Sequence, residues 1–416
     1  MRIAIIGAGV AGLTAAHLLH PEHDVEVFEA GDHVGGHTNT IRVDARDGTW
    51  HVDTGFIVLN DRNYPRFEAL LDELGVARQP TNMSFSVSAE SEDFEYSSGG
   101  VRGLLAQPSN LARPAFVRMV ADYVRFNRAA QALLDRPDDD RSLREFLDAE
   151  GFSPWFVQRL LIPQAAAVWS ADPDQMWAFP ARFLVRFFAN HGMLSLTSRP
   201  RWSTIVGGSA RYVEALTAPF ADRIRVGTPV VAVTRHPTHV DVVPEGGEAE
   251  AFDEVVIGAH ADQALAMLTD PSAAEVEVLG AFPYQPNEAV LHTDRSLLPR
   301  RRAAWAAWNY HLRSEAHGRC AVTYSMNHLQ SLRAEREYCV TLNHTAAIDP
   351  ERIVRVIPYA HPVYTAAGMD AQRRHGEVSG VARTHYCGAY WGWGFHEDGV
   401  VSALAAVARL RELVPA

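Results

Sequence analysis

The residues with the clearest chemical meaning lie in the first thirty positions. Gly7, Gly9 and Gly12 stand at G-x-G-x-x-G spacing, and Glu29 follows twenty residues after Gly9. Each has a distinct use in a dinucleotide site. Gly7 permits a tight turn, Gly9 lets a pyrophosphate approach the backbone, and Gly12 lets a helix pack closely on a strand. Ala11 opens that helix, whose free N–H groups and positive dipole end face the phosphates. Glu29 accepts hydrogen bonds from a ribose 2′-OH, and its charge repels a 2′-phosphate. The triplet alone is a weak signal; its placement between strand, helix and acid is what makes it specific.

The elements that position these groups are readable around them. Arg2 to Ile6 is an apolar run that predicts a buried parallel strand, Ala11 to Leu19 a helix, and Asp24 to Phe28 a second strand closed by Glu29. A second glycine pair follows in Gly35-Gly36-His37-Thr38-Asn39-Thr40, then strands at Thr40–Val43 and Thr49–Val52, then Asp53-Thr54-Gly55. A purely nicotinamide-binding fold has no need of that pair, whereas a flavin domain passes its chain close to the pyrophosphate and ribityl groups there. At the other end of the chain, Thr384–Cys387 reads as a strand, Gly388 as a turn, and Asp398-Gly399 as the opening of a helix over Val400–Leu413.

Between these ends the pattern predicts helices at Arg62–Gly75, Ala115–Leu134 and Ser142–Ala149, the last with Ser142 and Glu145 at capping-box spacing. Pro137 to Arg141 reads as a loop. Strands are expected at Met83–Ala89, Asp93–Tyr96, Arg223–Val226, Pro229–Val233, Val240–Val243 and Glu254–Ala259, with a helix at Asp262–Leu268. Five further strands between Glu288 and Tyr359 suggest one mixed sheet. Residues 152–192 are rich in aromatics and arginine. They read either as the core of a helical substrate domain or as the lining of an apolar channel or membrane face. Arg300-Arg301-Arg302 reads as a solvated turn, with an anion site for an acidic headgroup as the alternative.

At 416 residues and 47% apolar content the chain has room for two domains, and wholesale disorder is excluded. A formal net charge of −12 argues against nucleic acid as partner. Three scattered cysteines, Cys320, Cys339 and Cys387, show no metal-ligand spacing and fit a reducing, cytoplasmic setting. No signal peptide and no membrane-spanning run are expected. The chain contains no lysine, so neither a Schiff base nor a lysine general base operates in it.

The order of these motifs resembles the flavin-containing amine oxidase, phytoene desaturase and protoporphyrinogen oxidase superfamily, with His37 where those proteins usually carry arginine. The resemblance implies an α/β fold: an FAD-binding Rossmann-like, amine oxidase-like domain with an interleaved α+β substrate domain. It divides the chain into FAD-binding segments 1–60, 200–280 and 378–416, and substrate segments 61–199 and 281–377. It implies cofactor contacts from Gly7, Gly9, Ala11, Gly12, Glu29, Gly35, Gly36, His37, Thr38, Asp53, Thr54 and Gly55. Val230 and Val231 are then expected beside the purine, and Gly388, Asp398, Gly399 and Val400 on the flavin side, where a helix dipole favours the charge of reduced flavin.

Five stretches are similar to a bacterial group of predicted NAD/FAD-binding proteins that resemble the N-terminal oxidase-like region of plant cyclopropane fatty acid synthases. These are Gly35–Thr40, Asn190-His191-Gly192, Gly207-Gly208-Ser209, Tyr324–Leu329 and Cys387–Gly399. This resemblance implies non-covalent FAD and hydride transfer from an unsaturated or modified fatty acyl chain to flavin N5. His396 is expected as a substrate-facing acid/base group or as a histidine bonding cofactor or backbone. Tyr364 with His361 is expected across the pocket, and Trp391, Trp393, Asn327 and His328 near it. A lipid substrate, peripheral contact with the inner membrane face and a lipid-modifying methyltransferase partner follow as expectations. Alternatives are a flavin-dependent double-bond isomerase, an amine oxidase (disfavoured by the missing lysine) and a non-catalytic flavin-binding partner.

Overall fold

The computed structural model describes residues 1–416 except 137, 195–198, 314–317 and 414–416; Pro137, expected in a loop, therefore lies outside the described residues. Ile3, Ala4, Ile5 and Ile6 are all buried because Arg2–Ile6 is the middle strand of a five-stranded sheet. The order across that sheet is Ile224–Arg225, Asp24–Phe28, Arg2–Ile6, Glu254–Ile257 and Thr384–Tyr386, and every pairing is parallel. A parallel sheet is covered on both faces, so its strands are apolar throughout. Alternate side chains serve the two faces. Ile3 and Ile5 pack with the helices Val10–Leu19 and His396–Leu413, while Ala4 and Ile6 pack with Val240, Val242 and the helices Ala261–Met267 and Ala273–Leu279.

The C-terminal helix starts at His396, four residues before the expected Val400. Two carboxylates in its first turn explain the extension. Asp398 Oδ2 accepts the Phe395 N–H at 2.9 Å. Glu397 reaches across to accept the N–H groups of Arg66 and Phe67, in the first turn of the helix Pro65–Glu73.

A second, seven-stranded sheet runs in the order Ile353–Pro362, Tyr284–His292, Cys339–Leu342, Val322–Ser325, Trp308–Leu312, Phe85–Ala89, Glu95–Ser97. It is mixed, as the sequence suggested: Trp308–Leu312 runs parallel to Phe85–Ala89 and the other pairs are antiparallel. The strand expected from Ala304 begins only at Trp308, because a 3-10 turn occupies Arg302–Ala304. The strands Val230–Arg235 and Val240–Pro244, expected to continue the first sheet's domain, form a separate antiparallel sheet with Glu250–Phe252.

Helices cover one face of the seven-stranded sheet. The longest, Pro114–Leu134, packs against Ala181–Asn190 around Phe116, Met119, Phe126, Leu184 and Phe188. Residues 157–161 form a π turn directly ahead of the helix Ile162–Trp169, where Pro163 cannot donate a backbone hydrogen bond. Most of the 152–192 aromatics are core: Phe156, Phe179, Phe187 and Phe188 are buried.

Candidate functional site

The glycines of the first loop are used in three different ways. Gly7 has φ +97°, which favours glycine, and a Cβ there would sit 3.1 Å from the backbone of Gly258 and Ala259. A Cβ on Gly12 would lie 1.9 Å from the Gly7 carbonyl oxygen, so helix and turn touch through backbone alone. A Cβ on Gly9 meets nothing within 4 Å: Gly9 faces open space. The second glycine pair docks onto the first. The Gly35 N–H donates to the Ala8 carbonyl at 2.8 Å, and a Cβ on Gly36 would come within 3.2 Å of the Gly9 Cα. Glu29 closes the loop from below, its two carboxylate oxygens accepting the N–H groups of Ala8 and Gly31, each at 2.7 Å.

Asp53 holds the next layer in place. Its Oδ1 accepts from Thr40 Oγ1 at 2.6 Å and from both the N–H and Oγ of Ser209 at 2.8 Å, and its Oδ2 accepts from Gln330 Nε2 at 2.9 Å. Burial raises its carboxyl to a pKa of about 6, against the lowering effect of these bonds. Gly55 then passes under His37, where a Cβ would fall 2.1 Å from the His37 carbonyl oxygen.

A cavity of about 1770 Å³ opens over this loop system. Small-molecule pockets run to roughly 300–1,000 Å³, so this space has room for a dinucleotide and a second molecule. Gly7, Gly9, Ala11, Glu29, Gly35, Gly36, His37, Thr54, Gly55, Val230, Val231 and Gly388, expected on the cofactor, all line it. So do His361, Tyr364 and His396.

Three histidines meet on one wall. The His37 ring stacks on Tyr359 with centroids 4.7 Å apart and lies 5.2 Å from His361 and 6.1 Å from His260. Burial, then mutual repulsion, holds His37 well below the usual histidine range, and burial with the charge of His260 brings His361 to about 4. The imidazoles are therefore neutral near pH 7. Asn287 Nδ2 lies 2.8 Å from His361 Nδ1 and donates to it, which leaves the His361 proton on Nε2. His37 Nε2 is buried with no hydrogen-bond partner.

His396 also reaches the cavity, but its Nε2 is occupied. Thr38 Oγ1 lies 2.8 Å away and Tyr212 OH 3.1 Å away, and the ring stacks on Phe56 at 3.6 Å. Burial lowers its pKa to about 3. The neutral imidazole is held beside Phe56 by its contacts with Thr38 and Tyr212. Tyr364 is buried, its hydroxyl lacks a partner, and it abuts Gly394, where a Cβ would come within 2.5 Å of that oxygen.

Several expected contacts are not on the cavity wall. Trp391 packs in the core against Phe282 and His375, and Trp393 packs on Phe183 with ring centroids 4.1 Å apart. The two indoles alternate with glycines, and Gly394 at φ +89° turns the chain so that Phe395 and His396 face the cavity instead. Asn327 is spent on its own loop, donating to the Arg336 carbonyl and accepting from the Tyr338 N–H; His328 beside it is exposed. Gly12, Thr38, Asp53, Asp398, Gly399 and Val400 lie behind the wall. Burial raises the Asp398 pKa to about 6, its carboxylate caps the first turn of its own helix, and a Cβ on Gly399 would press on Val10 at 2.7 Å.

The sequence reading missed Tyr359, His260 and Tyr284, which share the histidine wall; His260 stacks on Tyr284 with centroids 4.4 Å apart. Tyr359 and His361 alternate on one strand, so the period-2 pattern through His361 was the available signal. Away from the glycine loops, the wall is Met83, Phe85, Tyr96, Leu104, Met119, Val120, Tyr123, Leu160, Val168 and Leu342. Two groups of histidine and acid lie elsewhere, Glu90 with His311 and His344, and His236 with His239 and Asp241.

The family described as flavin containing amine oxidoreductase matches residues 10–411. Among curated relatives, the Mycobacterium tuberculosis protein AofH, a flavin-containing monoamine oxidase by name, is 26% identical over 264 residues, 60% of this chain and 55% of the relative. The zeta-carotene desaturase of Arabidopsis thaliana is 27% identical over 217 residues, 47% of this chain and 38% of the relative. The matches thus span about half the length of these relatives or less. Two solved structures share the fold over nearly the whole of both chains. Cyclohexylamine oxidase of Brevibacterium oxydans has a TM-score of 0.70 at 16% identity, covering 99% of each chain. A fatty acid isomerase of P. acnes that produces CLA has a TM-score of 0.63 at 17% identity, covering 98% of each.

Proposed function

The chain belongs to the flavin containing amine oxidoreductase family; from that premise we propose that it is an FAD-dependent oxidoreductase whose substrate is an apolar chain, most simply an unsaturated or modified fatty acyl group. The residues present suit the cofactor. Gly9 faces open space where a pyrophosphate needs backbone approach, Glu29 lies at the loop for the ribose, and the orphaned His37 Nε2 is a donor or acceptor waiting for a ligand atom. Gly7, Gly35, Gly36, Thr54 and Gly55 would line the pyrophosphate and ribityl groups, with Val230 and Val231 beside the adenine. When bound, FAD accepts two electrons from a C–H bond. The chain's own part is to bind, orient and exclude water.

The observation that carries the substrate class is the lining of the rest of the cavity. Met83, Phe85, Met119, Val120, Leu160, Val168 and Leu342 line it, with uncharged polar groups such as Asn82, Ser84 and Gln164 among them. Apart from Glu29 in the dinucleotide loop, the acidic side chains on the lining are Asp61 and Glu68, and the chain has no lysine to activate a water. Amine oxidation is therefore the weaker fit. Anaerobic titration of the holoprotein with fatty acids, phospholipids and an amine panel tests this: bleaching of the flavin bands by a lipid and by no amine is the expected result, and bleaching by amines alone refutes it. Bleaching of the purified chain by itself also removes the non-catalytic partner reading.

A second reading, a flavin-dependent double-bond isomerase, is favoured by the shared fold with the P. acnes fatty acid isomerase. Product formation with no oxygen consumed and no peroxide released selects it over net oxidation.

A further inference from the structure

The mouth of the cavity coincides with the most exposed apolar stretch of the chain. Val101 is 73% exposed, Leu111 56%, Val117 52% and Val124 47%. Val117 and Val124 are seven residues apart on the helix Pro114–Leu134, so they share one face, with Arg128 one turn further on. Val120, between them on that face, lines the cavity, as do exposed Val124 and Gly100. A residue that is both solvent-exposed and cavity-lining marks an opening, and here the opening is rimmed by valine and leucine.

The charge around this rim opposes that of the molecule. The chain has a net charge of −12, yet residues 98–134 hold five arginines and a single acid, Asp122. Asp122 is buried and engaged by Arg118 and Arg125. Arg102 and Arg128 are exposed and form no ion pair among the described residues. Arg199, also exposed, is another residue that lines the cavity. Apolar side chains ringed by arginine, on an otherwise acidic protein, match an anionic lipid surface: the valines enter the acyl boundary and the guanidinium groups meet phosphates. The acidic segment from Asp135 to Asp140 follows the helix, about 16 Å beyond Val124 at 1.5 Å per residue, which tilts that end away from the bilayer.

We propose that residues 101–128 form a docking face for an anionic bilayer, and that it seats the cavity mouth on the leaflet so that a lipid enters without crossing water. The purpose rests on the apolar-substrate reading, but the docking is measured without turnover. No helix among the described residues is long and apolar enough to cross a membrane, so the attachment is peripheral.

The test is sedimentation of the FAD-bound protein with phosphatidylglycerol-containing vesicles and with pure phosphatidylcholine vesicles. Binding to the first alone, weakened by raising NaCl from 0.1 to 0.5 M, is expected. Leu111→Asp with Val117→Asp should weaken it at least about tenfold. Arg102→Gln with Arg128→Gln should weaken it about thirtyfold, near fivefold for each arginine. Val276→Asp, at a valine exposed elsewhere, should bind as wild type. A dye on Val101→Cys should shift to the blue on anionic vesicles, which reads the contact even if a double variant fails to fold. Absence of binding to anionic vesicles, or binding unchanged in both double variants, overturns the proposal. Variants that lose vesicle binding while detergent-dispersed lipid still bleaches their flavin separate the two readings. Vesicle binding with no lipid able to bleach the flavin refutes only the substrate class.

Discussion

Two walls of one cavity are built on opposite principles. The glycine loops are made of backbone: Gly12 touches Gly7 and Gly55 touches the His37 carbonyl at distances that leave no room for a side chain, and Gly36 packs tightly on Gly9. The facing wall is made of side chains: stacked His37 and Tyr359, His361, Tyr364, and beyond them methionine, leucine and valine. Backbone contacts are fixed by sterics and tolerate no substitution. Side-chain walls can be repacked at modest cost, commonly below about 1.5 kcal/mol for volume-conserving swaps. The first suits a ligand that never changes, the second a substrate site open to divergence.

The largest predicted effect breaks the backbone wall itself. Gly12→Val must displace the Gly7 carbonyl from 1.9 Å, which requires the first helix to leave the sheet. Loss of soluble folded protein is expected, beyond the roughly 1–3 kcal/mol of ordinary overpacking; a cooperative melt within a few degrees of wild type would contradict the close contact. Gly9→Val is the sharper comparison. Its Cβ meets no protein atom, so circular dichroism and melting should stay close to wild type while bound FAD falls from stoichiometric to under about a tenth. Retention of yellow colour by Gly9→Val would mean that the open space is not the pyrophosphate site.

An intermediate effect separates the walls by pH. His396 has a folded pKa of about 3, below its unfolded value near 6.5. Between those values the unfolded chain binds a proton that the folded chain refuses, so its stabilising contribution is complete above pH 6.5 and is lost as pH falls toward 3. At 1.36 kcal/mol per unit the loss reaches several kcal/mol. His396→Leu gives up the Thr38 and Tyr212 hydrogen bonds, about 1–3 kcal/mol at pH 7. It should also shed this acid sensitivity. The melting curves of variant and wild type should converge as pH drops from 7 to 4; a constant gap would show that folding leaves the His396 pKa unshifted.

How much of this was readable beforehand follows the same division. Backbone-built parts announce themselves in sequence, because their glycine spacing is rigid: Gly7 makes the expected turn and Gly12 the expected close packing, while Glu29 turns its carboxylate to the Ala8 and Gly31 N–H groups. Side-chain walls do not. Trp391 and Trp393 look like pocket residues by type, yet the turn at Gly394 sends them into cores and presents Phe395. His260 and Tyr284 reach the site from segments far apart in the chain, and no local pattern brings them together. Asp53 was expected on the cofactor and instead locks Ser209 and Gln330 behind it, since a carboxylate's partners depend on long-range packing.

The smallest predicted effect bears on the least legible residue. Tyr364 buries a hydroxyl with no partner, pushed far above the ordinary tyrosine range by burial. An unmade buried hydrogen bond is destabilising by roughly 1–3 kcal/mol, so in the protein without substrate Tyr364→Phe should leave the melting temperature unchanged or slightly higher. It should leave bound FAD unchanged as well, since the ring still packs on Phe183 at 5.6 Å. If the hydroxyl is kept for substrate, its removal must then appear in turnover and nowhere else: a raised KM with kcat held means it binds the ground state, and a lowered kcat means it acts as the reaction proceeds. A variant indistinguishable from wild type in stability, FAD content and both kinetic constants would make Tyr364 part of the packing against Gly394 and Phe183.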